Sequence, residues 1–473
     1  MFQTLGGCYL YDVNKNIIIN IDNSTYSILL SYQKSSYDID SLYSNNSVIK
    51  KLMDNGFLSS KRISKIFHPS TDKLSYMFKN NLQMITLQVT QNCNLRCKYC
   101  VYSGGYNNRH HIERKMDFDM AKRGIDFLLS HSQNSSSITV AFYGGEPFLE
   151  FDLIKKCIGY IESISHGRKT GFTITTNATL LNEEIIRFIV KHDISLTISL
   201  DGPKHIHDKN RKYSNSKEST YDKIIDNVNK IKKMYPEYLE KVLFNVVLDP
   251  ENDISCVNDF FMNYEALLKN INVSSITDTY LKKDLKYNEN FKMNFDYEIF
   301  KQLLSKVGKL KADNTSKMLY KHYQIIARVF HENRQMCYEL PKYGHPGGPC
   351  IPGALRLFMD VDGNFYTCER VSESSEVMKI GDVNIGIDVD KCKKILNVAT
   401  TTEFQCKNCW AFRFCHLCAA YSDKNNELSA EARLSQCNNV KYEVEKQLIE
   451  YCTLYEFNHD FDEESNTRIL SYN

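Results

Sequence analysis

The segment MITLQVTQNCNLRCKYC, residues 84–100, begins as a β-branched, strand-like run and ends in a loop that carries three cysteines. Cys93, Cys97 and Cys100 follow the spacing C-x3-C-x2-C. Three thiolates in so short a loop can hold three irons of a cubane and leave the fourth iron open. A structural zinc site is closed by four ligands, and an ordinary ferredoxin cluster completes its coordination with a fourth cysteine. The spacing therefore predicts a cluster with an open iron that can chelate a small ligand.

Short β-branched runs alternate with amphipathic helical stretches over the region that follows. We predict strands at 84–90, 137–144, 171–177, 194–200, 241–248 and 274–280. Alternation of this kind is typical of βαβ units and a parallel sheet, and therefore of an α/β fold. Ligands of parallel sheets bind at the carboxyl ends of the strands, so a functional site is expected there.

Polar motifs stand where three of these strands end. The second strand ends in the run 143–147, YGGEP, where two glycines let the backbone approach a ligand closely and Glu146 offers a carboxylate. The third strand ends at Asn177, and the fourth ends at Ser199 and Asp201. A polar residue at one strand end is as readily explained by a turn, but such motifs on consecutive strands indicate one shared site.

The cysteine spacing after the first strand of a βα series closely resembles that of the radical S-adenosylmethionine (SAM) enzymes. The resemblance implies a partial (βα)6 barrel and a [4Fe-4S] cluster held by Cys93, Cys97 and Cys100. The open iron would bind SAM, which one electron cleaves to methionine and a 5′-deoxyadenosyl radical. The other implied SAM contacts are Tyr99 at the adenine, Gly144, Gly145 and Glu146 at the methionine amino group, Asn177, Ser199 and Asp201 at the ribose and carboxylate, and Arg211, with Asp208, in an HDxxR-like stretch. For Asp208 and Arg211, an exposed loop ion pair is an equal alternative.

A second set of cysteines lies near the C-terminus. Four of them, Cys406, Cys409, Cys415 and Cys418, could by themselves form a zinc knuckle. The fuller spacing resembles the SPASM extension of radical SAM peptide-modifying enzymes, although Cys418 comes one position early. That resemblance implies two auxiliary [4Fe-4S] clusters, the nearer bound by Cys350, Cys368 and Cys418 and the outer by Cys406, Cys409, Cys415 and Cys437. Cys337 would either complete the nearer cluster or leave its last iron open to a substrate thiolate.

The first 80 residues contain two strand-like runs, GCYLYDV and NIIINID, followed by a helical run that ends near Gly56. This pattern resembles the RiPP recognition element, a PqqD-like, winged-helix-like module that binds leader peptides by adding a strand to a sheet edge. A purely structural cap is the alternative. The predicted divisions are this module at 1–80, the radical SAM barrel at 81–280, a helical connector at 281–336 and a cysteine-rich SPASM domain at 337–473.

Composition limits the cellular setting. The chain has 473 residues with 59 Lys and Arg against 57 Asp and Glu, a net charge of +2 that does not favour a nucleic-acid partner. The N-terminus has no signal-peptide pattern, and no apolar run reaches the ~18 residues that a membrane span needs. We therefore expect a cytoplasmic protein without a membrane partner, in which the 16 cysteines serve as ligands and not as disulfides.

These features together predict a radical SAM maturase of a ribosomally synthesised, Cys-containing precursor peptide. The leader would bind the N-terminal module, a donor such as flavodoxin or ferredoxin would supply electrons, and the product would be a thioether of the sactipeptide or ranthipeptide type. No protein general base is assigned. Two alternatives remain: a formylglycine-forming enzyme similar to the anaerobic sulfatase maturases, and a non-catalytic iron-sulfur electron carrier or zinc-binding regulator.

Overall fold

The computed structural model describes residues 1–34, 46–165, 167–264, 270–332, 339–347 and 350–462. Its strands are β1 (Phe2–Gln3), β2 (Cys8–Asp12), β3 (Ile17–Ile21), β4 (Lys65–Ile66), β5 (Met84–Thr90), β6 (Ser137–Gly144), β7 (Lys169–Thr176), β8 (Ser195–Ser199), β9 (Leu243–Leu248), β10 (Asn270–Ser275), β11 (Tyr343–Gly344), β12 (Arg356–Met359), β13 (Asn364–Tyr366), β14 (Lys379–Asp382) and β15 (Gly386–Ile387).

The α-helices are α1 (Asn23–Lys34), α2 (Ser47–Asp54), α3 (Leu74–Asn80), α4 (Phe118–Ser130), α5 (Phe151–Ile164), α6 (Glu183–Lys191), α7 (Lys204–Asn210), α8 (Thr220–Met234), α9 (Pro236–Leu239), α10 (Ile254–Asn263), α11 (Glu289–Lys306), α12 (Tyr320–Ile326), α13 (Val389–Leu396), α14 (Glu403–Lys407), α15 (Ala430–Ser435) and α16 (Cys437–Glu456). Within the described ranges, no helix is long and apolar enough to cross a membrane.

Strands β5 to β10 lie side by side in chain order and run parallel, with helices in the connections between them. This arrangement confirms the predicted α/β fold with six parallel barrel strands. The first two strands match their predicted bounds, because each is a buried β-branched run that ends at a polar loop. The sixth strand was predicted four residues too late. It spans Asn270–Ser275 because those residues pair in register with Leu243–Leu248, and the chain then turns away.

The C-terminal zone extends the same sheet from its other edge. Strand β12 pairs in parallel with β5, and β13, β14 and β15 follow in antiparallel order. Asp362-Gly363 lies between two alternating apolar runs, a sequence pattern that predicts a hairpin. A hairpin joins β12 to β13 at this point, and Gly363 adopts a φ of +84° in the turn. The loop after β13 carries Cys368, so this pairing brings the C-terminal cysteines towards the barrel strand that precedes the first cysteine loop.

The N-terminal sheet is buried on both faces of its central strand. Cys8 and Leu10 pack with Leu29 and Ile49 in a small core of the module itself. Tyr9 and Tyr11 point to the opposite face, where they join a cluster of connector and C-terminal residues. The segment after that module reaches into the rest of the molecule: β4 pairs with β11, and helix α3 contributes to the barrel core.

Candidate functional site

The first cysteine loop follows β5, with Cys97 buried and Cys93 and Cys100 half-buried. Burial raises the pKa of the Cys97 thiol to about 12, and the neighbouring Arg211 guanidinium acts in the opposite direction. The Leu95 amide donates to Cys93 Sγ at 3.3 Å, and Asn177 Nδ2 donates to the same sulfur at 3.7 Å. N–H donors and a guanidinium directed at sulfur stabilise thiolate ligands, so these residues fit an iron-sulfur cluster.

The two glycines after β6 pack against this loop. The Gly145 and Glu146 amides donate to the carbonyls of Thr90 and Asn92, each at 2.9 Å. A Cβ on Gly144, which has a φ of +148°, would lie 2.1 Å from Thr90 O, and one on Gly145 would lie 2.0 Å from Asn92 O. We expected close approach to a ligand here, and the structure shows that the close approach is to the backbone of the cysteine loop.

Glu146 lies fully buried beneath the same loop. Its carboxylate accepts hydrogen bonds from Thr176 Oγ1 at 2.7 Å and from the amides of Asn177 and Phe148 at 2.8 and 3.2 Å. Burial nevertheless raises the pKa of Glu146 to about 7, against these donors. Glu146 and Asn177 thus join the ends of β6 and β7 beside Cys93, where a cationic group of a ligand would stabilise the ionised carboxylate.

Tyr99, Asp201 and Arg211 form one buried network. Arg211 contacts both carboxylate oxygens of Asp201, through Nε at 2.9 Å and through Nη2 at 3.2 Å, and Tyr99 donates its hydroxyl to the same carboxylate. Burial is the largest influence and by itself would raise the pKa of Asp201, but the charge of Arg211, the nearby His207 and the hydrogen bonds from Arg211 and Tyr99 together hold that pKa below its ordinary value. The ion pair is therefore internal, unlike the exposed pair that we considered as an alternative for Arg211.

We expect Asp201→Asn to destabilise the protein by about 3–5 kcal/mol, because it leaves the Arg211 charge buried without its partner. Chemical denaturation with circular dichroism measures the loss. Asp193→Asn is the control, since it removes the partner of Lys241 in an exposed ion pair and should leave the midpoint nearly unchanged. Equal midpoints for the two variants would contradict the assignment.

Two other polar residues lie close by without entering this network. Ser199 is buried at the end of β8, and the adjacent Leu200 amide donates to Asn245 O. Asp208 accepts from Ser219, Thr220 and the Tyr221 amide, and so holds the first turn of α8. In the described structure, Asp208 fixes the start of α8. Contact of Ser199 with SAM stays a prediction.

The C-terminal cysteines fall into two groups of neighbouring thiols. Burial raises the pKa of the Cys418 thiol, and the nearby thiols of Cys368 and Cys350 raise it further. Cys406, Cys409, Cys415 and Cys437 form the second group. Partial burial and the nearby Cys406 thiol raise the pKa values of Cys409, Cys415 and Cys437. These are the two sets that the resemblance to the SPASM extension implies for the nearer and outer auxiliary clusters. The early position of Cys418 does not separate it from Cys368.

Arg433 supports the fit of the outer set. It is fully buried, and its Nη1 and Nη2 have no hydrogen-bond partner within the described residues. Burial raises the pKa values of Cys415 and Cys437, and the Arg433 charge lowers both. An unpaired guanidinium near Cys415 and Cys437 suits a site whose thiolates are negatively charged.

Other observations bear on the ligand sets. The fifteen cysteines that the structure describes are all free of disulfides, whereas Cys337 lies outside the described residues. Over the same ranges, no group of three His, Cys, Asp or Glu side chains is arranged to hold a single metal ion. A cubane takes one thiolate at each of its irons and therefore needs its thiols further apart than a single ion does.

Sequence reasoning missed a buried ion pair inside the barrel. Arg109 Nε lies 2.9 Å from Glu373 Oε1, and the same carboxylate accepts from Gln88 Nε2 at 2.8 Å and from Gln91 Nε2 at 3.2 Å. Tyr102 Oη also donates to it, at 3.3 Å. The network joins the first cysteine loop to the loop after Cys368. Its one signal in the sequence is a glutamine in the middle of an otherwise apolar core strand.

Comparison with known proteins agrees with this geometry. The family model of the radical SAM superfamily matches residues 87–260. An uncharacterized protein of Methanocaldococcus jannaschii is 34% identical over 230 residues, which are 49% of this chain and 73% of that protein. A cysteine-type anaerobic sulfatase-maturating enzyme of Clostridium novyi is 34% identical over 163 residues, 33% of this chain but only 42% of that enzyme. The solved structure of native anSMEcpe with bound AdoMet and Cp18Cys peptide shares the fold, with a TM-score of 0.58 at 19% identity, over 79% of this chain and 99% of that chain.

The chain belongs to the radical SAM superfamily. It is a radical SAM enzyme related to the peptide and sulfatase maturases, and it uses a [4Fe-4S] cluster and SAM.

Proposed function

We propose that this enzyme is a peptide maturase that forms thioether cross-links in a ribosomally made, Cys-containing precursor. The observation that carries the proposal is an open edge of the N-terminal sheet, since β3 pairs with β2 on one side and with no other strand of the described residues. The strand order is β1-β2-β3, so β3 offers one side of its backbone to another chain. An extended leader peptide can add to such an edge through main-chain hydrogen bonds, which tolerate variable side chains.

The side chains around β3 also suit a peptide. Four of its five residues, 17–20, are half-buried or exposed, and only Ile21 is fully buried. Ile19, Ile28 and Met53 are partly buried against the small core of the module. A row of partly covered apolar side chains beside an open strand edge provides shallow contacts for alternate residues of an added strand.

The radical chemistry would take place at the first cysteine loop. When bound, the [4Fe-4S] cluster and SAM provide the 5′-deoxyadenosyl radical that removes a substrate hydrogen. Cys93, Cys97 and Cys100 would hold the cluster, Glu146 would receive the methionine amino group, and Asn177 would orient the ligand beside Cys93. The Arg109–Glu373 pair would keep the first cysteine loop and the Cys368 loop at a fixed separation. The C-terminal thiol groups would hold the two auxiliary clusters.

Formylglycine formation is the second candidate. It is favoured by the likeness to the Clostridium novyi sulfatase-maturating enzyme and to the fold of anSMEcpe. The β3 edge separates the two, because formylglycine formation on a sulfatase does not require a docked leader.

A pair of proline substitutions in β3 tests the proposal. Adjacent residues of a strand direct their N–H groups to opposite sides, so one of Ile18→Pro and Ile19→Pro removes a ladder hydrogen bond and the other removes only an outward N–H. We expect the outward variant to melt like the wild type and to bind a fluorescent leader peptide at least about tenfold more weakly. Formation of 5′-deoxyadenosine from SAM in the absence of peptide is the internal control and should not change. Unaltered leader affinity in both folded variants would contradict the proposal.

A further inference from the structure

Seven exposed cations surround the first cysteine loop. They are Arg96, Lys98, Lys209, Lys212, Lys282, Lys283 and Lys286, and we call them the cationic rim. The carboxylates on this face are fewer: Glu251 pairs with Lys98 at 2.6 Å, Asp249 is buried, and Asp284 is exposed. The whole chain carries a net charge of only +2, so this is a local concentration of positive charge.

Hydrogen bonds join the three segments of the rim to the loop itself. The Arg96 amide donates to Lys212 O at 2.7 Å, and the Lys98 amide donates to Asn210 O at 2.8 Å. Lys282 Nζ donates to Gly104 O at 3.0 Å. The rim is therefore a built part of the cysteine loop, held at a fixed distance from its thiols.

A cavity of about 130 Å³ opens inside the rim, with Lys98, Tyr99, Lys283 and Lys286 in its wall. Tyr99 stands between Cys97 and Cys100 in the chain, so a group at this cavity lies next to the cluster ligands. Lys212 and Lys283 form no ion pair with any residue that the structure describes, and Lys286 has only a longer-range charge interaction with Glu251. Unpaired cations around a buried redox site are available to an anionic partner.

We propose that the cationic rim is the docking surface for an acidic, one-electron carrier protein, an inference that rests on the proposed function. One electron would pass from the carrier's reduced flavin to the cluster that Cys93, Cys97 and Cys100 would hold. The leader is assigned to a different part of the molecule, since the N-terminal sheet that would hold it packs on Phe330 and Phe414 in the connector and the C-terminal zone.

The test compares two triple variants with the same change of charge. Lys212→Glu, Lys283→Glu and Lys286→Glu reverse the rim, while Lys232→Glu, Lys233→Glu and Lys394→Glu reverse exposed lysines on α8 and α13 as the control. Association with an acidic flavodoxin is measured by biolayer interferometry at low and high salt. We expect the rim variant to associate at least about tenfold more slowly at low salt and to lose most of its salt dependence. The control should stay close to the wild type.

Several other results of this experiment would overturn the proposal. An equal loss in both variants, or no loss in the rim variant, overturns the proposal, and so does a loss of precursor-peptide affinity in place of flavodoxin affinity. If the triple Glu variant fails to fold, Lys→Gln at the same three positions should still slow association with flavodoxin, though by less. An unchanged association rate in that Gln variant would overturn the proposal. Formation of 5′-deoxyadenosine with dithionite should be the same in all folded variants. If the wild type forms none, the proposed function fails, while flavodoxin association remains measurable by itself.

Discussion

Cys97→Ala should abolish formation of 5′-deoxyadenosine and remove about four irons per chain. Cys97 is the central ligand of the first loop, its thiol is buried beside Arg211, and no other thiol of this loop can replace it without displacing a second ligand. Iron analysis and chromatography of SAM products after anaerobic reconstitution measure both losses.

Cys256→Ala is the matched control for that variant. Cys256 is exposed on α10 and takes part in neither group of neighbouring C-terminal thiols. We expect iron content and 5′-deoxyadenosine formation to equal those of the wild type. Retention of the full iron complement by Cys97→Ala, with SAM cleavage intact, would show that the first loop is not the site of the SAM-binding cluster.

Gly145→Ala should strongly destabilise the barrel. Its Cβ would lie 2.0 Å from Asn92 O, a backbone atom that can move only with the cysteine loop. We expect a loss of at least about 2 kcal/mol in the free energy of unfolding together with reduced iron incorporation. Chemical denaturation and iron analysis measure the two effects.

Gly159→Ala provides the comparison. Gly159 is exposed in the middle of α5, and a Cβ there meets no atom within 4 Å. Because alanine favours the helix, we expect a gain of up to about 1 kcal/mol and unchanged iron content. If Gly145→Ala matched Gly159→Ala in its free energy of unfolding and iron content, that result would contradict the described packing of Gly144 and Gly145 against the cysteine loop.

Local patterns in the sequence predicted the features that depend on neighbouring residues. The bounds of β5 and β6, the Asp362–Gly363 hairpin and the spacing of Cys93, Cys97 and Cys100 each belong to one short segment. The sixth strand was misplaced because its end depends on pairing with β9, and the residues that follow it are just as β-branched.

Features that depend on distant pairing could not be predicted from such patterns. The parallel pairing of Arg356 with Met84 brings the C-terminal zone to the barrel edge across a long stretch of chain. The Arg109–Glu373 pair follows from that pairing, and neither residue lies in a recognisable motif. We expected Gly144 and Gly145 to let a ligand approach the backbone. Two adjacent glycines indicate that some group lies close to the backbone, but the sequence does not show which group it is.

The reaction itself is tested most directly by mass spectrometry of a precursor peptide. The reconstituted enzyme is incubated anaerobically with SAM, a reductant and a Cys-containing peptide encoded beside its gene, with and without the leader segment. We predict the loss of two hydrogen atoms per cross-link, blocked by prior alkylation of the peptide cysteines and dependent on the leader. A formylglycine product, or modification that is indifferent to the leader, would contradict the proposed thioether chemistry.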